Sequence, residues 1–206
     1  MRELVEAFEN LLVSAMMHGG DAAEGSERLL NVVDWKRKPK PGTPRSVQVV
    51  DDRLEEACRL TGGYGSTAAS VCEATLAVAD QLTWEAAWGK HLEHADIAAL
   101  AQNWTYASII GPDCPLEAEG VYMGLSLQGP DLLYPMHAHQ ADELYWVVGG
   151  NGDWKTGIEP WFAVEPGDII VHGSGIRHAM QTNHAPLLTV WAWWNHLDSP
   201  LVFVRA

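Results

Sequence analysis

The stretch HAHQADELYWVVGG, residues 137 to 150, sets two histidines one residue apart, then a glutamate four residues after the second, then a tyrosine, then two glycines. Its tail, Leu-Tyr-Trp-Val-Val, has the composition of a strand. Side chains on a strand alternate between faces, so Tyr145, two residues past Glu143, points to the same side as the glutamate. His137, His139 and Glu143 are candidate metal ligands, and imidazole mixed with carboxylate suits iron, manganese, zinc or nickel rather than calcium. A metal needs a further ligand from elsewhere in the chain. The segment PGDIIVHGSGIRHAMQTN, residues 166 to 183, offers His172 and His178. There Pro166-Gly167-Asp168 reads as a turn, Ile169 to His172 as a strand, and Gly173-Ser174-Gly175 as a second turn that delivers His178.

Outward from this pair of segments, the chain divides in two. From Trp104 onward it consists of short apolar runs broken by Gly, Pro, Asn and Asp: WTYASIIGPD, VYMGLSLQGPD, ELYWVVGGNGD, WFAVEPGDIIVHGSG, LLTVWAWWN and LVFVRA. Many short strands with turn chemistry between them predict an antiparallel sandwich or barrel over 104–206. Residues 1–103 read as a helical extension. Leu4, Val5, Phe8, Leu11, Leu12, Ala15 and Met16 recur at helical spacing before the stop at Gly19-Gly20. A second helix is expected after Ser26, carrying Leu29, Leu30 and Val33. The basic segment KRKPKPGTPR then breaks the pattern, which resumes through Val47, Val50, Leu54 and Cys58 to Gly62-Gly63 and again in ASVCEATLAVADQLTWEAAW.

The 206 residues include 13 Lys plus Arg against 27 Asp plus Glu, a formal net charge of -14. That charge repels phosphate backbones and anionic membrane surfaces, so neither nucleic acid nor a membrane is an expected partner. No apolar run is long enough for a membrane helix, and glutamates interrupt the N-terminal apolar residues where a signal peptide would be continuous. Cys58, Cys72 and Cys114 have no close spacing, which argues against a disulfide framework or thiolate zinc site and fits inert thiols in a reducing cytoplasm. The expectation is a cytoplasmic protein, with a homodimer as the default assembly. Ten tryptophans are present. In TVWAWW, alternation places Trp191 and Trp193 on one face and Trp194 on the other, and tryptophan faces near a polar site can hold a cation.

A histidine and glutamate group on one hairpin with a single histidine on the next resembles the metal pattern of the cupins. The first cupin motif, H-x-H, three or four residues, E, six residues, G, is matched by His137, His139, Glu143 and Gly150. The second, G, five residues, P-x-G, two residues, H, is matched by Gly167, Gly175 and His178, with Gly173 in place of the proline. Asp131 stands where the first motif has its leading glycine, and the absent proline is expected to loosen the second turn. The resemblance implies a mainly β cupin barrel (double-stranded β-helix, or jelly-roll) with a helical N-terminal extension.

Within the cupins, YPMHAHQADELYWVVGG, His178 and the tryptophan-rich TVWAWWN resemble the dimethylsulfoniopropionate lyases of the DddQ type. That resemblance implies one divalent transition metal ion, Fe2+, Zn2+ or Mn2+, held by His139, Glu143, Tyr145 and His178. It implies His137, Tyr134, Trp191 and Trp193 around a small zwitterionic sulfonium carboxylate, with Tyr145, or Tyr134 as second candidate, as catalytic base. The implied reaction is β-elimination to dimethyl sulfide and acrylate. An iron-dependent cupin dioxygenase, a cupin isomerase and a nonenzymatic small-carboxylate-binding cupin use similar sites and remain alternatives, because one fold hosts many chemistries. His172 reads as a strand histidine with no part in the metal site, and His18, His91, His94, His184 and His196 as surface or cap residues.

Overall fold

A computed structural model describes residues 1–62, 66–86 and 95–204. His91, His94, Gly63 and the Trp88 end of the alanine-rich segment lie outside the described residues. Five α-helices precede the main strands: α1 (Arg2–Ala15), α2 (Gly20–Val32), α3 (Gln48–Arg59), α4 (Thr67–Val78) and α5 (Ala95–Asn103). Between α4 and α5 lies the short strand β1 (Glu85–Ala86). The remaining strands follow as β2 (Trp104–Gly111), β3 (Leu116–Glu117), β4 (Val121–Gln128), β5 (Leu133–Ala138), β6 (Asp142–Gly150) and β7 (Gly152–Thr156). They are completed by β8 (Phe162–Val164), β9 (Ile169–His172), β10 (His178–Gln181), β11 (Leu187–Trp194) and β12 (Val202–Phe203).

One sheet runs β1-β2-β4-β11-β6-β9, with β3 beside β2, and the other runs β12-β5-β10-β7-β8. Every pairing between these strands is antiparallel except that of β2 with β3. Consecutive strands β5, β6 and β7 alternate between the sheets, as do β9, β10 and β11. This is the jelly-roll layout of a cupin barrel, closed on itself so that both sheets share one interior.

The larger sheet is buried on both faces, because the helices cover its outside. Leu4, Phe8 and Leu12 of α1, Val49 and Leu54 of α3 and Val71 of α4 form one apolar cluster with Leu144, Trp146 and Val148 of β6 and Val190 and Trp194 of β11. Helix α2 starts at Gly20, earlier than expected, and Ser26 lies in its interior. The Ser26 hydroxyl donates to Ala22 O at 2.7 Å, so it is satisfied within the helix instead of capping its start. A Cβ on Gly25 would come 3.0 Å from the Trp194 ring and 3.2 Å from Leu144, so the bare glycine sets how closely α2 approaches the sheet. Below the sheet a second cluster, including Tyr134, Tyr145, Val147, Trp154, Met180 and Trp191, fills the barrel.

The basic segment after α2 is an ordered strap. Lys40 N donates to Pro115 O at 2.8 Å, and Arg37 and Lys40 both pair with Glu117, at 2.7 and 2.9 Å. Cys58 and Cys72 meet between α3 and α4, where the neighbouring Cys72 thiol and burial push the Cys58 thiol up. No helix among the described residues is long and apolar enough to cross a membrane.

Candidate metal centre

The barrel fold brings the two motif segments together by pairing β5 with β10, which sets His178 opposite His137, and β6 with β9, which sets Glu143 opposite His172. Gly150, the last residue of the first motif, has φ +79, and a Cβ there would lie 1.7 Å from Pro186 O. Only glycine fits both conditions. Asp131, in place of the motif's leading glycine, adopts φ +52, a left-handed conformation that a short polar side chain tolerates. The second turn is not loosened by the missing proline. Gly175 N donates to His139 O at 2.8 Å, Ser174 N to Asp142 Oδ1 at 2.9 Å and Ser174 Oγ to Gln140 Oε1 at 3.1 Å, so the first motif itself pins the turn.

One ligand atom each from His139, Glu143 and His178 lies within 4.8 Å of the others. All three residues are buried. His139 Nε2 is 3.1 Å and His178 Nε2 3.2 Å from Glu143 Oε2. The far nitrogens are occupied: His139 Nδ1 donates to Ala141 O and His178 Nδ1 to Ile176 O, both at 3.0 Å. These carbonyls place the ring proton on Nδ1 and leave the Nε2 lone pair facing inward. His178 Nε2, although close to the carboxylate, makes no aligned hydrogen bond. A buried lone pair without a donor, converging with a second imidazole and a carboxylate, fits a divalent transition metal.

Burial alone would push the Glu143 carboxyl up, but the facing imidazoles of His139 and His178, when cationic, outweigh that and hold it well below the usual carboxylate range. The other Glu143 oxygen, Oε1, accepts from Trp193 Nε1 at 2.5 Å, and the Trp193 ring lies 4.2 Å from that of His139. Tyr145, two residues along the same face of β6, also feels the Glu143 charge. Burial, then the Glu143 charge, push its phenol well above the ordinary value. The same two causes act on Tyr134.

His137 lies beside the three ligand atoms rather than among them. Its Nδ1 donates to Pro135 O at 2.8 Å, its ring stacks on Tyr134 at 4.1 Å and meets His178 edge-on at 4.1 Å, and burial pushes its pKa well down. Trp191 faces the barrel interior with Trp193, while Trp194 faces the helices, as the alternation predicts. The Trp191 Nε1 donates to Leu125 O at 3.1 Å. His18, His184 and His196 are exposed.

One buried side chain at the site, Trp154, escaped the sequence reading, and it bonds a second, His172, that was read as a plain strand histidine. His172 is 1% exposed and Trp154 fully buried, and Trp154 Nε1 donates to His172 Nε2 at 3.0 Å. Trp154 sits on β7, in the opposite sheet and between the two motifs, where no spacing rule marks it.

Comparison with known proteins places the chain. A family model described as dimethylsulfoniopropionate lyase matches residues 5–189. DddQ of Ruegeria pomeroyi, a dimethylsulfoniopropionate lyase, is 28% identical over 199 residues, covering 97% of this chain and 94% of that protein. DddL of Cereibacter sphaeroides, assigned to the same activity, is 32% identical over 152 residues, which are 73% of this chain and 61% of the length of DddL. Among solved structures, that of Ruegeria pomeroyi DddQ superposes with TM-score 0.73 at 23% identity, covering 97% of this chain and 96% of that one. A second, from work on the lyases RdDddP and RnDddQII, gives TM-score 0.76 at 21% identity over 98% and 96% of the two chains. The structural likeness supports the barrel with its helical half, and the match over residues 5–189 makes this chain a member of the dimethylsulfoniopropionate lyase family.

Proposed function

We propose that this chain is a metal-dependent carbon-sulfur lyase that cleaves dimethylsulfoniopropionate by β-elimination to dimethyl sulfide and acrylate. The observation that carries the reading is the buried convergence of His139, Glu143 and His178, with the buried Tyr145 on the same face of β6 as Glu143. Residues 104–206 carry this chemistry, and helices α1 to α4 cover the outer face of the sheet that bears Glu143.

His139, Glu143 and His178 would hold the ion, Fe2+, Zn2+ or Mn2+, with Tyr145 as a further ligand. When bound there, the ion would supply Lewis-acid stabilisation of the substrate carboxylate and would offset the negative potential that raises the neighbouring phenols. Tyr145 is the base that takes the proton from the carbon beside the carboxylate, and Tyr134 is the second candidate. As that proton leaves, the C–H electrons form the double bond of acrylate, and the electrons of the breaking C–S bond go to sulfur. Dimethyl sulfide departs neutral, so no general acid is needed. His137 and Tyr134 bound the carboxylate side, and the rings of Trp191 and Trp193 accept the sulfonium without a competing countercharge.

The test is headspace gas chromatography for dimethyl sulfide, with protein reconstituted separately with Fe(II), Mn(II) and Zn(II). Metal-dependent release is expected. An occupied site that releases no dimethyl sulfide yet consumes oxygen with small carboxylates would replace the lyase by a dioxygenase.

A further inference from the structure

We propose that His172 is a positioning residue for His178: a flat, neutral ring, held by the Trp154 indole, against which the late histidine of the metal centre stacks. The inference rests on the metal-binding reading of His139, Glu143 and His178, and it concerns residues to which that reading gives no role.

The rings of His172 and His178 lie nearly parallel, with centroids 4.0 Å apart and planes 9° apart. An imidazole lone pair lies in the plane of its ring. Two stacked rings therefore cannot aim their lone pairs at one ion, and His172 is absent from the converging set of ligand atoms. A role beside the metal remains. His178 is fixed along its own plane by the Nδ1 bond to Ile176 O, but a single hydrogen bond leaves the ring free to swing about that contact. Stacking on His172 and the edge contacts of His137 and His139 remove that freedom, directing Nε2 toward Glu143.

Chemistry also explains why this position is histidine. Trp154 is wholly buried, and its indole N–H needs an acceptor. His172 Nε2 accepts it at 3.0 Å, which assigns the remaining ring proton of the neutral form to Nδ1. A protonated ring would have no lone pair for the indole and would place a cation face to face with a metal ligand. Trp154 further packs edge-on against Tyr145, with centroids 4.9 Å apart at 64°, so one side chain braces both the proposed base and the support of the late ligand. Partners that orient ligating histidines affect metal affinity by about 10- to 100-fold.

The test measures Co(II) affinity and the visible absorption of the Co(II) protein, with melting of the metal-free protein as the fold control. Four proteins are compared: wild type, His172→Leu, His172→Leu combined with Trp154→Phe, and His178→Ala. The combined variant removes the indole donor together with its acceptor, so no orphaned polar group confounds folding. Both leucine variants are expected to bind Co(II) about 10- to 100-fold more weakly, with a shifted absorption band. Wild-type affinity and spectrum in the combined variant would overturn the proposal, even if its metal-free melting temperature falls, because His172 would then serve packing alone. His178→Ala separates this from the underlying reading: unchanged Co(II) binding there removes the metal site itself, whereas lost binding there beside intact binding in the leucine variants removes only the role of His172.

Discussion

The two faces of β6 differ in what their neighbours demand. Leu144, Trp146 and Val148 face the helices in an apolar cluster that needs only volume and shape. Glu143 and Tyr145, alternating with them, face the barrel, where Trp193, His139 and His178 surround the carboxylate. Both faces are buried, so burial does not separate the structural side from the chemical one. Polarity does: one face packs aliphatic and indole carbon, and the other gathers ionisable side chains around Glu143.

If this contrast holds, substitutions on the inner face should abolish chemistry while sparing the fold, and those on the outer face should do the reverse. His178→Ala should have the largest effect, reducing dimethyl sulfide release by on the order of 1000-fold or to background, because it removes a metal ligand and with it Lewis-acid stabilisation worth several kcal/mol. Metal content by elemental analysis should fall in parallel. Tyr145→Phe should lower kcat by about 100-fold or more, the range typical for a positioned base, with an unchanged circular dichroism spectrum. A small loss of kcat would shift the role to Tyr134.

On the other face, Leu144→Ala should cost about 2 to 5 kcal/mol in urea unfolding, the usual range for a buried leucine, while kcat at saturating metal stays near wild type. A stable Leu144→Ala protein that had lost activity would show the two faces to be coupled. Trp193→Phe keeps a ring but deletes the indole donor to Glu143. Its expected effect is roughly a tenfold fall in kcat/KM, about 1.4 kcal/mol, in line with a hydrogen bond to a charged group. At the small end, Arg59→Ala breaks an exposed pair with Glu55 on α3 and should leave both melting temperature and kcat unchanged.

Much of the metal site was legible because its ligands sit in two short segments with tight spacing. His137, His139, Glu143 and Tyr145 fall within nine residues, and the period of a strand fixes which of them share a face. The extent of α2 was less legible. Ser26 reads as a cap by residue type, yet a serine can also bond the carbonyl four residues back and stay within a helix, and packing against β6 and β11 chose that alternative. The second turn misled in the same way. A missing proline removes local stiffness, but hydrogen bonds from the other motif replace it.

The sequence by itself determined the strand-rich half, the helical half, the ligand-bearing segments and the sidedness of Trp191, Trp193 and Trp194, because each depends on residue type and short-range period. Tertiary structure alone decided which ring nitrogens face inward, that Trp154 reaches His172 from the opposite sheet, and that His172 stacks on His178 instead of joining the ligand atoms. It also decided that Cys58 and Cys72 meet. These outcomes depend on the register between strands and on how the helices close over the sheet, which bring together atoms whose separation along the chain carries no periodic signal.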